Sequence, residues 1–450
     1  MILNLKNKNV LVVGLAKTGL AVARFLKDQG VQVTAADLMT KEQLGPYAQQ
    51  ALAMDIRLQL GPHEAETFSA CDLIVVSPGV PHTIGPLEAA RKVGIPVIGE
   101  LELAARYINQ PIVAITGTNG KTTTASLVGE MLRASDLKVF VGGNIGQPLI
   151  DYVNCGVRAD MIVAEISSFQ LDTMESFRPR VGVLLNVSED HLDRYSDFQE
   201  YVRSKGRLFE NQQSTDVAVL NRADPLILNL ESVIRARKLY FNIDSDTGSG
   251  VEFRGDEMIC RFPGRAPLTL SLANFKVKGV HNLENAAAAS LAALAAGAAE
   301  AGIQKALDRF EGLRHRLEQV RTVNGVHYYN DSKATNVRAV MRSIESFEAP
   351  VILIMGGRDK GGSYSVLSRL IKKRVRRLIA IGEARGKILG ALGGNTDSEG
   401  TTSLEEALHL ARQAAAPGDV VLLSPGCSSF DMFTDYAERG EAFCKAVERL

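Results

Sequence analysis

The sequence predicts an α/β protein of three domains built on mostly parallel sheets. Short apolar runs recur along the chain, and helical patterns lie between many of them. The runs include "NVLVVG" (9–14), "VQVTAAD" (31–37), "LIVVSPG" (73–79), "PIVAITG" (111–117), "MIVAEIS" (161–167) and "VGVLLNV" (181–187). Later ones are "DVAVLN" (216–221), "VHYYND" (326–331), "PVILIMGG" (350–357), "RLIAIG" (377–382) and "DVVLLSPG" (419–426). Most are continuously apolar, as strands buried on both faces of a parallel sheet must be. A chain of 450 residues that is 46% hydrophobic is long enough for several such cores. The boundaries fall near 99/100, before a second nucleotide-type unit, and near 312/313, after a long helical stretch, giving domains 1–99, 100–312 and 313–450.

Composition excludes some partners. Lys+Arg and Asp+Glu both total 51, so no global field draws the chain to nucleic acid or to a membrane surface. The opening "MILNLKNKNV" lacks an apolar run with a small-residue cleavage site, so no export signal is expected. "NAAAASLAALAAGAA" (285–299) is too short to span a bilayer and reads as a closely packed internal helix. Five scattered cysteines with no CxxC pair suit a reducing cytosol. The basic run "KKRVRR" (372–377) reads as a solvated helix end.

In the first unit, "VVGLAKTGLA" sets Gly14 and Gly19 where a dinucleotide fingerprint has its first and last glycines, but Ala16 replaces the middle one. Asp37 closes the next strand at the distance where an acid grips a ribose. A plain strand-to-helix turn, a modified nucleotide-diphosphate site and an NAD site all fit. Ser77 in "SPGVP" (77–81) ends a third strand at the same sheet edge, where ligands of such folds bind.

The second unit carries the sharpest signal. "ITGTNGKTTT" (115–124) ends as a phosphate loop does, in Gly120-Lys121-Thr122, yet Ile115 stands where the full pattern has glycine. An apolar strand precedes it and a helical pattern follows. Backbone N–H groups of the loop and helix start suit phosphate oxygens; Lys121 suits bridging phosphates and Thr122 suits Mg²⁺. Glu165 ends the strand of "VAEISSFQ", where an acid is costly unless paired or bound to a cation. "NVSEDHLDRY" offers Asp190, His191 and Asp193 at the next strand end. Lys205, in "EYVRSKGRLFEN", reads on its own as a surface lysine.

Together, "TGTNGKTTT", "GGNIG" (142–146), "EISSFQ", "NVSEDHLDRY", "HNLENAAAA" (281–289), "HRLE" (315–318) and "YNDSKATN" (329–336) resemble the ATP-dependent Mur ligases over essentially the whole chain. "SPGVP" and "LLSPGCSSFDMFTDYAERG" (422–440) are similar to the branch that adds D-glutamate to UDP-N-acetylmuramoyl-L-alanine. The resemblance implies a Rossmann-like first domain, a central P-loop ATPase-like domain and a Rossmann-like C-terminal domain. It implies a monomeric cytoplasmic ligase with ATP and two Mg²⁺ ions, and a short variant of the phosphate loop that accounts for Ile115. It places ATP on Gly117, Thr118, Asn119, Gly120, Lys121, Thr122 and Thr123, with Asn282 and Asn285 at adenine and Arg316 and Asp331 at γ-phosphate and ribose. Thr122, Glu165, His191 and Lys205, the last as a CO₂-derived carbamate, would serve the metal. Lys121, His191, Lys205 and Arg316 would be catalytic. Leu15, Thr18, Asp37 and Ser77 would hold UDP, while Asn144 and Ser167 line the reacting cleft. Lys333, Thr335, Lys360, Ser429, Phe430 and Tyr436 would frame D-glutamate. A ligase with another acceptor and an NAD oxidoreductase are the rival readings; the second leaves the phosphate loop and the strand-end acids unused.

Overall fold

The computed structural model describes residues 3–190, 194–242 and 249–450. The chain divides into two compact units, one comprising Met1–Val187, Leu192–Ala273 and Ala286–Leu307, the other Ser188–His191, Asn274–Asn285 and Asp308–Leu450.

The first unit holds two sheets. One is fully parallel, in the order Arg57–Leu60, Gln32–Asp37, Asn9–Val13, Leu73–Val76, Val97–Gly99. Chain order reverses between Asn9–Val13 and Leu73–Val76, so their carboxyl ends part and leave the crevice where open α/β sheets take ligands. Gly14 and Ser77 sit at those two ends. The helix Lys17–Asp28 starts from this turn and buries Leu20, Val22, Phe25 and Leu26 against the sheet. Gly19 has to be glycine, because a Cβ there would lie 1.8 Å from the Gly14 carbonyl oxygen.

The other sheet has nine strands. Ile112–Thr116 lies between Met161–Glu165 and Val181–Leu184, with Val139–Gly143 beyond the former. Its far edge, Gly250–Arg254, Glu257–Arg261 and Leu268–Ser271, is antiparallel. These three strands were not among the expected runs. They are short, and Glu252, Arg254, Glu257 and Arg261 interrupt or flank their apolar residues, so they lack the continuous apolar signature.

The short helix Glu100–Ala105, directly after the first sheet, buries two acids. Glu102 accepts the N–H groups of Glu175, Ser176 and Phe177 at 2.9, 2.9 and 3.0 Å and the Arg106 guanidinium at 2.8 Å. Glu100 is 1% exposed. One of its oxygens accepts Ile150 N–H at 2.8 Å, and the other has no hydrogen-bond partner among the described residues. Burial pushes its carboxyl up to about 7, despite that N–H and the nearby Gln170 amide.

The second unit centres on six strands, in the order Glu318–Val323, Val326–Asn330, Val420–Leu423, Val351–Gly356, Val375–Ile381, Asp397–Gly400, parallel except for the first. The basic run is helix end only through Arg374. Arg376 and Arg377 already lie in the strand Val375–Ile381, where they pair with Asp419 and with Glu399 and Asp397. Strand alternation around buried Val375 splits the run, which the charge pattern alone did not reveal.

The alanine-rich segment is the expected internal helix: Val280–Ala296, with Ala286, Ala287, Ala288, Ala289, Ala292 and Ala293 fully buried. Among the described residues, no helix is long and apolar enough to cross a membrane.

Candidate active site

The phosphate loop leaves the central strand Ile112–Thr116 and enters the helix Lys121–Arg133. Gly120 caps that helix in the left-handed region, φ +87°, which a side chain would strain. Asn186 holds the loop from the neighbouring strand end. Its side-chain oxygen accepts Asn119 N–H at 2.9 Å, its amide donates to the Asn119 carbonyl at 3.1 Å, and its own carbonyl accepts Thr118 N–H at 2.9 Å. Lys121 curls back over the loop and donates to the carbonyls of Gly117 and Thr118, both at 2.9 Å. Thr123 is buried behind it.

The metal-type residues converge on this loop. Glu165, 2% exposed, accepts the Thr122 hydroxyl at 2.7 Å on one oxygen and the Asn144 amide at 2.8 Å on the other. Strand pairing enforces the approach, since Gly143 pairs with Glu165 and Asn144 N–H donates to the Glu165 carbonyl. Ser167 caps the next short helix, exchanging hydrogen bonds with Gln170. Lys205 is not at the surface: it is 1% exposed and donates to the Gly117 carbonyl at 2.9 Å, the oxygen Lys121 also reaches. Its ammonium stands 4.5 Å from the Tyr201 ring centre, and the Tyr201 hydroxyl meets Thr118 Oγ1 at 3.2 Å. Asp190 is described. His191 and Asp193 lie outside the described residues.

In the first sheet's crevice the Asp37 carboxylate accepts Leu15 N–H at 2.7 Å and Met39 N–H at 2.9 Å. The Ser77 hydroxyl donates to the Gly14 carbonyl at 2.7 Å. Thr18 follows in the first helical turn, and Lys17 donates to the Gly146 carbonyl, in the loop that carries Asn144.

In the second unit, Asn285 donates to the Asn282 side-chain oxygen at 3.2 Å, and Asn282 donates to the Lys278 carbonyl at 2.7 Å. Burial lowers the neighbouring His281 to about 4. Asp331 is buried at the end of Val326–Asn330. Burial pushes its carboxyl up to about 6, against the hydroxyls of Ser343 and Ser424, Leu317 N–H and the charge of Arg316. Lys333 stands 3.7 Å from the Tyr436 ring centre. Thr335 is half-buried, Ser429 buried, and Lys360 and Phe430 exposed.

Arg439 ties these loops together. It is fully buried, and its guanidinium donates to Ser332 Oγ at 2.9 Å and to the carbonyls of Ser332, Cys427 and Ser428 at 2.8, 3.2 and 3.3 Å. Sequence reasoning missed Asn186, Tyr201 and Arg439. Each acts through partners far along the chain, and an arginine in an amphipathic helix reads as surface.

The chain matches the MurD-like N-terminal domain of Mur ligases over residues 8–99, the Mur ligase middle domain over 115–293 and the glutamate ligase domain of Mur ligases over 315–427. It belongs to the Mur ligase family. It is 51% identical over 445 residues to the UDP-N-acetylmuramoylalanine–D-glutamate ligase of Desulfosudis oleivorans, covering 99% of this chain and 97% of that one. It is 49% identical to the enzyme of the same name from Geotalea uraniireducens, covering 100% and 99%. Among solved structures, a type C pseudomurein peptide ligase from Methanothermus fervidus shares the fold with a TM-score of 0.62 at 20% identity, covering 98% of this chain and 100% of that one. The MurF ligase from Thermotoga maritima, in complex with ADP, does so with a TM-score of 0.60 at 16%, covering 99% and 96%.

Proposed function

We propose that this chain joins D-glutamate to UDP-N-acetylmuramoyl-L-alanine with conversion of ATP to ADP and phosphate, as a cytoplasmic step of peptidoglycan precursor synthesis. The observation that carries the reading is the phosphate loop whose Thr122 hydroxyl meets the buried Glu165 carboxylate, in a chain about half identical to ligases of that name along its whole length. The three-domain division at 99/100 and 312/313 and a monomeric state belong to the same reading.

A carboxylate resists attack by an amine because oxide is a very poor leaving group. The alanyl carboxylate oxygen first takes the γ-phosphoryl group and ADP leaves. The D-glutamate nitrogen then adds to the acyl carbon, loses a proton, and the tetrahedral species expels phosphate. Lys121 releases the loop carbonyls it now holds and offsets charge on the phosphates. The loop N–H groups from Gly117 to Thr123 orient them. Asn282 and Asn285 take adenine, and Arg316 and Asp331 take γ-phosphate and ribose. Leu15, Thr18, Asp37 and Ser77 hold the uridine diphosphate end, and Asn144 and Ser167 line the cleft at the acyl end. Lys333, Thr335, Lys360, Ser429, Phe430 and Tyr436 frame D-glutamate.

The hydroxyl of Thr122 and the carboxylate of Glu165 make an oxygen donor pair that fits Mg²⁺, and on the sequence reading His191 would join them. Two such ions would screen the phosphate charges during transfer. Lys205 would support the second as a carbamate: its neutral amine would add to CO₂ and lose a proton, which would put an anion where a buried cation now stands. The test is ADP release with the muramoyl-alanine nucleotide and, in turn, D-Glu, L-Glu, L-Ala and L-Lys. Release confined to D-Glu is expected; release with another acceptor, or with none, overturns the reading.

A further inference from the structure

The residues that frame D-glutamate in the preceding reading include one cation, Lys360, whose neighbours have no assigned role. Lys360 sits at the apex of a turn that Asp359 closes on itself. One Asp359 oxygen accepts Gly361 N–H at 3.1 Å and the hydroxyl of Tyr364 at 2.9 Å. Tyr364 is buried, and its hydroxyl also meets Cys427 Sγ at 3.1 Å. Arg358 and Ser428 exchange backbone hydrogen bonds of 2.9 and 3.1 Å, which fasten this turn to the segment that carries Ser429 and Phe430. The backbone under Lys360 is therefore fixed from three sides, while its side chain is exposed.

An aspartate next to a lysine meant to grip a carboxylate works against that task twice. It attracts the ammonium, and it repels the incoming anion. Here the second Asp359 oxygen is taken by Lys387, at 2.5 Å, from the helix Arg385–Leu392. Lys360 itself makes no hydrogen bond or ion pair among the described residues. Two other acids stand on the neighbouring segments: Glu383 pairs with Arg358 at 3.4 Å, and Asp431 accepts the Glu383 N–H at 2.9 Å. Partial burial pushes the Asp359 carboxyl up, but the hydrogen bonds from Lys387, Tyr364 and Gly361 outweigh it and hold the carboxyl below its ordinary range. Asp359 thus stays ionised, and its charge needs a standing counterion.

We infer that Lys387 and Tyr364 are positioning residues for the acceptor amino acid: Lys387 neutralises Asp359, and Tyr364 orients it, so that Lys360 stays available to a carboxylate of the substrate. The inference rests on the ligase reading and extends it to two residues that reading leaves without a role. Lys387 is largely exposed, so removing it leaves packing intact, and the effect is electrostatic.

The experiment measures KM for D-glutamate, ATP and the muramoyl-alanine nucleotide in wild type, Lys387→Met, Asp359→Asn/Lys387→Met and Tyr364→Phe. Lys387→Met is expected to raise KM for D-glutamate about fivefold, the order of one partly exposed ion pair, and to leave the other two within twofold. The double variant is expected to return KM for D-glutamate to within twofold of wild type, because the asparagine side chain keeps the acceptor for Gly361 and Tyr364 but carries no charge. Tyr364→Phe is expected to raise the same KM alone. A Lys387→Met enzyme with unchanged KM for D-glutamate, or a double variant no better than the single one, overturns the inference. A wild type that releases no ADP with D-glutamate overturns the ligase reading instead.

Discussion

Replacing Glu100 by glutamine tests how much a buried carboxylate costs this fold. In the unfolded chain the group titrates near its ordinary value of 4.5; in the folded protein burial moves it to about 7. Between those values the folded state holds a proton that the unfolded state has released, so stability falls as pH rises. Below pH 4.5 both states are protonated and the penalty is absent; above 7 it is complete. The difference, 7 minus 4.5, is about 2.5 units, and at about 1.36 kcal/mol per unit it amounts to about 3 kcal/mol. Glutamine keeps an acceptor for Ile150 N–H and carries no charge. Urea unfolding followed by far-ultraviolet circular dichroism at pH 5, 6, 7 and 8 should show Glu100→Gln gaining on wild type through this window, by up to about 3 kcal/mol, with no further gain above it. A difference between the two proteins that stays flat from pH 5 to 8 would refute the reasoning, because a neutral or solvated carboxylate gives no such slope.

Lys121→Ala should lower turnover about a thousandfold at saturating ATP while the protein keeps its far-ultraviolet spectrum, since on the ligase reading it removes the charge that offsets the phosphates; near-native turnover would remove Lys121 from the chemistry. Lys205→Ala should abolish activity, and wild type stripped of bicarbonate should lose activity and recover it on bicarbonate return; an indifferent wild type excludes the carbamate. Lys360→Ala should raise KM for D-glutamate about tenfold or more and that for ATP less than twofold, as loss of one charge-assisted contact predicts; equal rises would assign Lys360 to the nucleotide or to the fold.

The phosphate loop was legible because its chemistry is local: the glycines, Lys121 and Thr122 must lie within one strand-to-helix turn. Glu165 was legible as an acid at the end of a buried strand, but its hydrogen bonds to Thr122 and Asn144 come from strand pairing that sequence does not display. Lys205 read as a surface lysine from its helix alone, and only the resemblance gave it a role; its burial depends on the loop above it. The antiparallel edge strands were missed because they are short and charged residues such as Glu252 and Arg261 break up their apolar runs. Asn186, Arg439 and Glu100 were invisible for one shared reason. Each satisfies backbone groups distant in sequence, and no periodicity encodes which groups those are.

Arg439 has a consequence for how the protein is made. Its guanidinium is the hub on which the segments around Ser332, Cys427 and Ser428 rest, and it follows all of them in the chain. During synthesis the strand Val420–Leu423 must insert between Val326–Asn330 and Val351–Gly356 before the six-stranded sheet is complete, and the loops at its edge then still lack the cation their carbonyls converge upon. The loops around Ser332, Cys427 and Ser428 are therefore finished late, when the helix Tyr436–Glu448 docks. A nascent chain stalled before that helix would carry a complete phosphate loop, while the carbonyls of Ser332, Cys427 and Ser428 would still await their buried cation.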